Sequence, residues 1–128
     1  MTGLRLRWTV VIVGFDPTVG HEQGGERRAL VVTREPVHRS GLAAVCPITA
    51  ARSEVRYPGD VRIPAGQAGQ TKDGIILCHQ LRTISLERVK LSGGSGLVGR
   101  VEDPVIRYQV RQALLVHLGL DIPLEEDD

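Results

Sequence analysis

Short apolar runs separated by polar and glycine-rich breaks occupy the first three quarters of the chain. The runs are rich in β-branched residues, which favour strands, and Gly, Pro or charged residues bound them. The pattern predicts strands over residues 8–15, 29–33, 43–49, 55–63 and 74–79. We expect residues 83–89 to form a short helical turn and the glycine-rich residues 92–96 to be a connection.

The periodicity changes after residue 103. Asp103 is placed to cap a helix, Pro104 suits its first position and Gly119 is a terminator. Apolar residues recur at helical spacing, at Val105, Ile106, Val110, Ala113, Leu114 and Leu118. The sequence therefore predicts a sheet-rich fold covered by one C-terminal helix, with Arg107 and Arg111 on its solvent-facing flank.

Composition favours one folded domain followed by a short charged end. The chain has 128 residues, 41% hydrophobic and 24% charged, which is ordinary for a globular protein. We assign residues 1–124 to a single domain and residues 125–128 to an acidic tail. Aromatic residues make up only 3%, so a nucleic-acid site here would depend on charge and hydrogen bonds rather than on rows of stacked rings.

The net charge of +1 is the sum of a basic domain and an acidic tail. Residues 1–124 carry all 16 Lys and Arg but only 11 of the 15 Asp and Glu, which gives a net charge of +5. Nearly all of these cations are Arg, whose guanidinium binds phosphate in a bidentate manner. Arginine enrichment also follows from genomic base composition, and the sequence leaves both explanations open.

Cysteine, histidine and hydropathy patterns predict no metal site, no cofactor and no membrane segment. Cys46 and Cys78 lie inside apolar runs without the spacing of zinc ligands, and the His residues are scattered along the chain. No apolar stretch approaches the length that spans a bilayer, and no signal core is evident near the N-terminus. We expect a cytoplasmic protein with two free, buried thiols.

Three ordered motifs carry a family resemblance. The first is a glycine-broken polar loop leading into an apolar strand, D-P-T-V-G-H-E-Q-G-G-E-R-R-A-L-V-V over residues 16–32. The second is V-C-P-I-T over residues 45–49, and the third is Q-L-R-T-I over residues 80–84. In order and spacing these segments resemble the MazF/PemK/Kid family of toxin endoribonucleases.

The resemblance implies both a fold and an activity. The implied fold is of the α+β class, mainly β: a small SH3-like barrel of the CcdB/PemK type with a C-terminal helix. The implied activity is metal-independent, sequence-specific cleavage of single-stranded RNA, often messenger RNA, by attack of the ribose 2′-hydroxyl. The products would be a cyclic or 3′-phosphate and a 5′-hydroxyl. The implied partners are a second copy of the chain and a cognate antitoxin.

Three residues are the catalytic candidates. The family's arginine falls on Arg27, which we expect to stabilise the pentacoordinate phosphorane, and its threonine falls on Thr49, which would position the phosphate. His21 matches the family's G-H-E-Q form, and an imidazole is a natural acid or base near neutral pH. A loop histidine with no protonic role is an equally open interpretation.

Further residues of these motifs are expected to bind RNA or support the loop. Glu22 is more suited to tying the loop than to facing RNA, and Arg82 would either contact phosphate or brace the loop through a carboxylate such as Glu22. The predicted RNA-binding residues are Gln23, Arg28, His79, Gln80 and Arg82.

The chain departs from the family pattern at three places. The family's Gly-Asp or Gly-Glu pair before the first strand is Trp8-Thr9, the proline after the catalytic arginine is Arg28, and His79 stands where aspartate is frequent. His79 could itself transfer a proton. The alternative functions are a CcdB-like toxin that binds a protein without cutting RNA, and an inactive binding module of the same fold.

Overall fold

A computed structural model describes residues 5–22, 24–50, 55, 57–89 and 96–127. Within these ranges, strands in the order β4-β5-β3-β2-β1-β7 form a curled, half-barrel sheet, and β6 also pairs with β3. The strands are β1 (Thr9–Gly14), β2 (Glu26–Val31), β3 (Leu42–Ala50), β4 (Asp60–Ile63), β5 (Gly74–Leu77), β6 (Arg82–Ser85) and β7 (Leu97–Arg100). One α-helix, α1 (Pro104–His117), follows them. The predicted mainly β, α+β fold class is confirmed.

The long strand β3 holds the two halves of the sheet together. Its middle pairs with β2, where Ala29 lies opposite Pro47. Along its other edge the first half pairs with β6 and the last residues pair with β5, where Thr49 lies opposite Ile75. The second motif therefore lies where the sheet changes partners, and this places Thr49 at the end of the β2–β3 pairing.

Alternating side chains of the strands build a core on each face of the sheet. Val10 and Leu30 belong to the cluster that α1 covers, together with Ile106 and Val110 of the helix. Their neighbours Val11 and Ala29 belong to a second cluster on the opposite face, with Phe15, Val45 and Ile84. Because adjacent residues point to opposite faces, a slip of one residue in register would exchange these two cores.

Cys46 and Cys78 are free and fully buried beside each other in the core under α1. Ile48 of β3 lies opposite Ile76 of β5. Two residues farther along the same antiparallel register, Cys46 lies opposite Cys78. A hydrogen bond with Cys78, followed by burial, raises the pKa of the Cys46 thiol. The Cys46 thiol is therefore held in the protonated form, as expected for a small core residue.

The predicted helix is confirmed at both ends. Asp103 accepts a hydrogen bond from the backbone N–H of Val105 at 2.8 Å, and Gly119 has the left-handed φ of 68° that ends a helix. Within the predicted apolar stripe, Val105 and Leu118 are exposed instead of buried. Arg107 was expected in water but is half-buried, because its Nε donates to the carbonyl of Val101 at 2.7 Å.

Several strand predictions were wrong in extent. β2 begins at Glu26, three residues earlier than predicted, so Arg27 is a strand residue. Residues 83–89 were predicted as a helical turn, but the first of them belong to β6 and only Leu86–Arg88 form a 3-10 turn. The strand predicted over residues 55–63 is limited to Asp60–Ile63, and β7 was not predicted. The predicted connection over residues 92–95 lies outside the described residues.

Two features are absent from the described residues. No helix among them is long and apolar enough to cross a membrane. They also contain no group of three or more His, Cys, Asp or Glu side chains arranged to hold a metal ion.

Candidate active site

The loop between β1 and β2 owes its shape to glycine. Gly20 and Gly25 have left-handed φ values of 61° and 75°, which side chains disfavour. At Gly24 a Cβ atom would lie 2.8 Å from Thr18 Oγ1 and 2.9 Å from Asp16 Oδ1, so these polar side chains pack where only glycine fits. The loop therefore folds back on itself and presents its polar side chains at the surface.

Arginine side chains from another part of the chain brace this loop. Arg82 Nη1 donates to the Phe15 carbonyl at 2.8 Å, and Arg88 Nη1 donates to the Asp16 carbonyl at 2.7 Å. Of the two roles left open for Arg82, the structure therefore supports bracing, but through a backbone carbonyl rather than through Glu22. Arg88 was not singled out in the sequence, because nothing local relates residue 88 to a loop 72 positions earlier.

Glu22 ties the loop internally. Its Oε1 accepts a hydrogen bond from the backbone N–H of Val19 at 2.6 Å, so the carboxylate ties the loop as predicted. The predicted RNA-binding residue Gln23 lies outside the described residues. Glu22 and its neighbour His21 are both exposed. Both line the same cleft beside the loop.

Arg27 and Thr49 line one open cleft of about 400 Å³, which we call the arginine cleft. The Arg27 Nε donates to the Gly24 carbonyl at 2.8 Å, so the guanidinium is anchored to the loop through one nitrogen. The cleft is also lined by Arg28, Gln70 and Lys72. Two carboxylates, of Glu26 and Asp73, line the cleft as well, so its three cations leave a net positive charge that, with the Thr49 hydroxyl, suits a phosphate group. Gln70 and Lys72 lie outside the three motifs and were missed for that reason.

His21 lies in a neighbouring cleft of about 490 Å³, which we call the histidine cleft. It is lined by Phe15, His21, Glu22, Pro47, His79, Gln80, Leu81 and Arg82. The structure thus brings His21 together with three of the predicted RNA-binding residues, and separates it from Arg27 and Thr49. Consecutive residues of β3 divide the clefts, since Pro47 lines the histidine cleft and Ile48 lines the arginine cleft.

His79 has the more fixed surroundings of the two histidines. Its Nδ1 lies 3.6 Å from Asp60 Oδ1, and its ring lies 5.0 Å from the ring of Tyr57. A Cβ atom on Gly59 would lie 2.7 Å from the backbone nitrogen of His79, so only glycine allows this approach. Asp60 and Tyr57 were not predicted as neighbours of the site, because the turn that carries them is distant in sequence.

Comparisons with known proteins agree with this architecture. The family model described as PemK-like, MazF-like toxin of type II toxin-antitoxin system matches residues 6–118. Endoribonuclease EndoA of Bacillus subtilis is 38% identical over 115 residues, covering 89% of this chain and 94% of the relative. Endoribonuclease toxin ChpB of Escherichia coli is 35% identical over 106 residues, covering 80% and 90%.

Solved structures give the same result. The crystal structure of MazF from Deinococcus radiodurans superposes with a TM-score of 0.72 at 27% identity, covering 91% of this chain and 97% of that one. A MazE-MazF structure from the same organism has a TM-score of 0.68 at 28% identity. The chain therefore belongs to the family of PemK-like, MazF-like toxins of type II toxin-antitoxin systems.

Proposed function

We propose that this chain is a sequence-specific endoribonuclease, the toxin of a toxin-antitoxin pair, which cleaves single-stranded RNA in the cytoplasm without a metal ion. The observation that carries the proposal is that Arg27 and Thr49 share one cleft. The curated relatives, which are named endoribonucleases, support the reaction class. They also favour an enzyme over a CcdB-like binding protein.

The proposed reaction uses the substrate's own nucleophile. The ribose 2′-hydroxyl attacks the adjacent phosphorus and loses its proton, and the 5′-oxygen of the next nucleotide leaves as it gains one. The phosphorane oxygens carry extra negative charge at the transition state, so a fixed cation beside them lowers the barrier. Arg27 supplies that cation, because its Nε is used on the Gly24 carbonyl and its terminal nitrogens remain for phosphate oxygens. Thr49 orients the phosphate through its hydroxyl.

Proton transfer is assigned to a histidine of the neighbouring cleft. His21 lies on the exposed loop, whereas His79 is held beside Asp60 and Tyr57. The clefts are lined by consecutive residues of β3, Pro47 and Ile48, so a nucleotide that adjoins a phosphate in the arginine cleft would have to cross this strand to reach these rings. Either histidine is suited to general acid-base catalysis near neutral pH. In this arrangement Gln80 would face the same nucleotide.

The reaction class is tested with one substituted substrate. Cleavage should persist in EDTA and should vanish when the single ribose 5′ of the scissile phosphate becomes deoxyribose, because only that hydroxyl is in line. An RNA with the deoxyribose one position away is the matched control and should be cut normally. Cleavage of the first strand at the same bond would point to activated water instead.

We extend the proposal to two protein partners. A structural neighbour from a Mycobacterial species is an endoribonuclease in complex with its cognate antitoxin, which supports an antitoxin for this chain. The second partner is another copy of the chain. α1 exposes Val105, Tyr108 and Val116, and apolar side chains grouped on one helix are typical of a contact surface.

Light scattering tests the proposed dimer. The wild-type chain should be a dimer at micromolar concentration, and Val116→Asp should shift it toward monomer. Leu124→Asp is the matched control, because Leu124 is 87% exposed beyond the helix and should leave the dimer intact. A wild-type monomer would contradict the dimer without affecting the assigned reaction.

A further inference from the structure

A basic surface lies at the end of the β1–β2 hairpin opposite its loop. Arg7 lies just before β1, Arg34 follows β2, and Arg107 and Arg111 lie on α1. We call these four residues the arginine surface. It is distinct from the arginine cleft, because the six residues of β2 rise about 3.3 Å each and put roughly 20 Å between Arg27 and this end of the hairpin.

The Trp8 ring contacts two of the four arginines of this surface. The Cζ of Arg7 lies 5.2 Å and the Cζ of Arg107 lies 5.3 Å from the centre of its ring, close enough for cation–π contact. Trp8 is only 6% exposed and has a left-handed φ of 68°, in a place where the family pattern has glycine. Such a backbone is strained and persists only where packing imposes it. The ring therefore holds two guanidinium groups in set positions.

Backbone contacts fix the same two side chains further. Arg7 Nε donates to the Val32 carbonyl at 3.2 Å, and Arg107 Nε donates to the Val101 carbonyl at 2.7 Å. In each case the protein uses the Nε, and most of the terminal donors remain for another acceptor. Side chains ordered in advance lose less entropy on binding, which favours affinity.

Positive charge at this surface exceeds the negative charge around it. Burial, then the charges of Arg111, Arg34 and Arg107, lower the pKa of the Arg7 guanidinium, and the charge of Glu35 acts against them. Glu35 directs Oε1 to the backbone N–H groups of Leu6 and Arg7 at 2.8 and 2.7 Å.

A second acid near this surface is already shared between two arginines. Glu102 contacts both Arg100 and Arg107. Among the described residues, Arg34 and Arg111 form no ion pair.

The position of the arginines on α1 favours a nucleic acid over a protein. Arg107 and Arg111 are four residues apart and share one flank of the helix. The exposed Val105 and Val116 lie on the opposite flank, and Val116 lines a groove there with Tyr108. A protein partner needs apolar anchors at the centre of its contact, whereas an RNA backbone binds through phosphate charge.

We propose that the arginine surface is a second RNA site, which binds backbone phosphates of the substrate beyond the segment held in the clefts. This inference rests on the proposed function, because it takes the bound polyanion to be the substrate. The surface carries no sequence preference, since phosphates are the same in every nucleotide. It increases affinity for long RNA and leaves the chemistry at the scissile bond unchanged.

The experiment compares two charge-matched variants on two lengths of RNA. Arg34→Gln/Arg111→Gln removes two cations from the surface. Arg39→Gln/Arg62→Gln removes two exposed cations that do not act on Arg7. The ligands are a strand of about 8 nucleotides around the cut site and one several times longer, both with deoxyribose at the cut position.

The surface variant should bind the long strand on the order of 10-fold more weakly than wild type, with a salt dependence smaller by about 1.4 in log–log slope. It should bind the short strand, and cut its all-ribose form, as wild type does. The Arg39/Arg62 control should bind both strands as wild type does. Arg34→Lys/Arg111→Lys should retain most of the long-strand affinity, because it retains the charge.

Three outcomes would overturn the inference. They are wild-type affinity of the surface variant for the long strand, equal weakening in the control, or weakened binding of an acidic peptide with RNA binding unchanged. The last would assign the surface to a protein partner. Failure of the proposed function is distinguishable, because the wild-type chain would then not cut the short all-ribose strand at all.

Discussion

The two ends of the β1–β2 hairpin are built in opposite ways. At the loop end the backbone turns through left-handed glycines, the side chains of His21 and Glu22 are exposed, and two open clefts adjoin the loop. At the other end the buried ring of Trp8 packs into the core, and Glu35 accepts backbone N–H bonds from residues 29 and 28 positions away in sequence.

The difference separates catalysis from stability along one hairpin. The loop end offers exposed polar side chains and the cations of the arginine cleft to a substrate. The other end buries an aromatic ring and closes long-range contacts, which is where folding free energy is gained. Changes at the loop end should therefore lower activity in a folded protein, and changes at the other end should lower stability in an active one.

The largest expected effect is on stability. Trp8→Ala should lower the free energy of unfolding by about 3 to 5 kcal/mol, because it empties a large buried site between β1 and α1. Urea unfolding measures this, with Leu124→Ala as an exposed apolar control expected within about 0.5 kcal/mol of wild type. The folded fraction of Trp8→Ala should still cut the short RNA. Loss of that activity would show that cleavage also depends on the Trp8 end of the hairpin.

The second effect is on catalysis. Arg27→Ala should lower the single-turnover cleavage rate by about 10²-fold or more, as for removal of one donor to a developing oxyanion. Its unfolding free energy should change by no more than about 1 kcal/mol, since one loop hydrogen bond is lost. Arg39→Ala is the exposed control. A wild-type rate in Arg27→Ala would remove this residue from the mechanism.

A smaller catalytic effect is expected at Thr49. Thr49→Val keeps the shape of the side chain but removes the hydroxyl, and should lower the rate by about 10-fold, the equivalent of one hydrogen bond to a charged group. Thr49→Ser keeps the hydroxyl and should retain most of the rate. Equal losses in both variants would assign Thr49 to packing rather than to phosphate positioning.

The smallest effect concerns Glu35 and pH. Burial acts to raise the pKa of the Glu35 carboxyl, but the backbone N–H groups of Arg7 and Leu6 outweigh it and hold that pKa below its usual range. A lowered pKa in the folded state stabilises the protein above the ordinary carboxyl range, and the gain is lost as pH falls through the folded value.

Glu35→Gln tests this linkage. The variant should therefore be less stable by about 1 kcal/mol near neutral pH, a value discounted because the side chain is 38% exposed. The gap should close as the pH falls below about 4 in urea unfolding curves. A gap that stays constant across this range would mean that the carboxylate's charge contributes nothing at this end of the hairpin.

The sequence pattern predicted those helices and strands whose periodicity and end residues lie within the element itself. The capped helix α1 and the apolar strands were found because periodicity and end signals are local. β6 was missed because its four residues become a strand only by pairing with the first half of β3. β7 was missed because it contains Gly99, whose Cβ would lie 2.4 Å from the backbone of Ala68, a contact between distant residues.

The candidate site was predictable in composition but not in arrangement. The motifs identified Arg27, Thr49 and His21, yet they did not indicate that the first two would share a cleft without the third. Arg88 and Asp60 could not be found, because each acts on a residue that lies close only in the folded chain. The assigned roles of the site residues remain predictions for the variants above.

The buried thiols of Cys46 and Cys78 can be used to measure how often the core opens. An alkylating reagent reacts with thiolate, and in the closed core the raised pKa of Cys46 and the lack of access both prevent that reaction. Labelling can proceed only when the core under α1 opens, so its rate measures how often that core opens. A ligand that binds only the closed form slows labelling in proportion to its occupancy. The affinity of an uncut RNA could thus be followed by mass spectrometry without any introduced label.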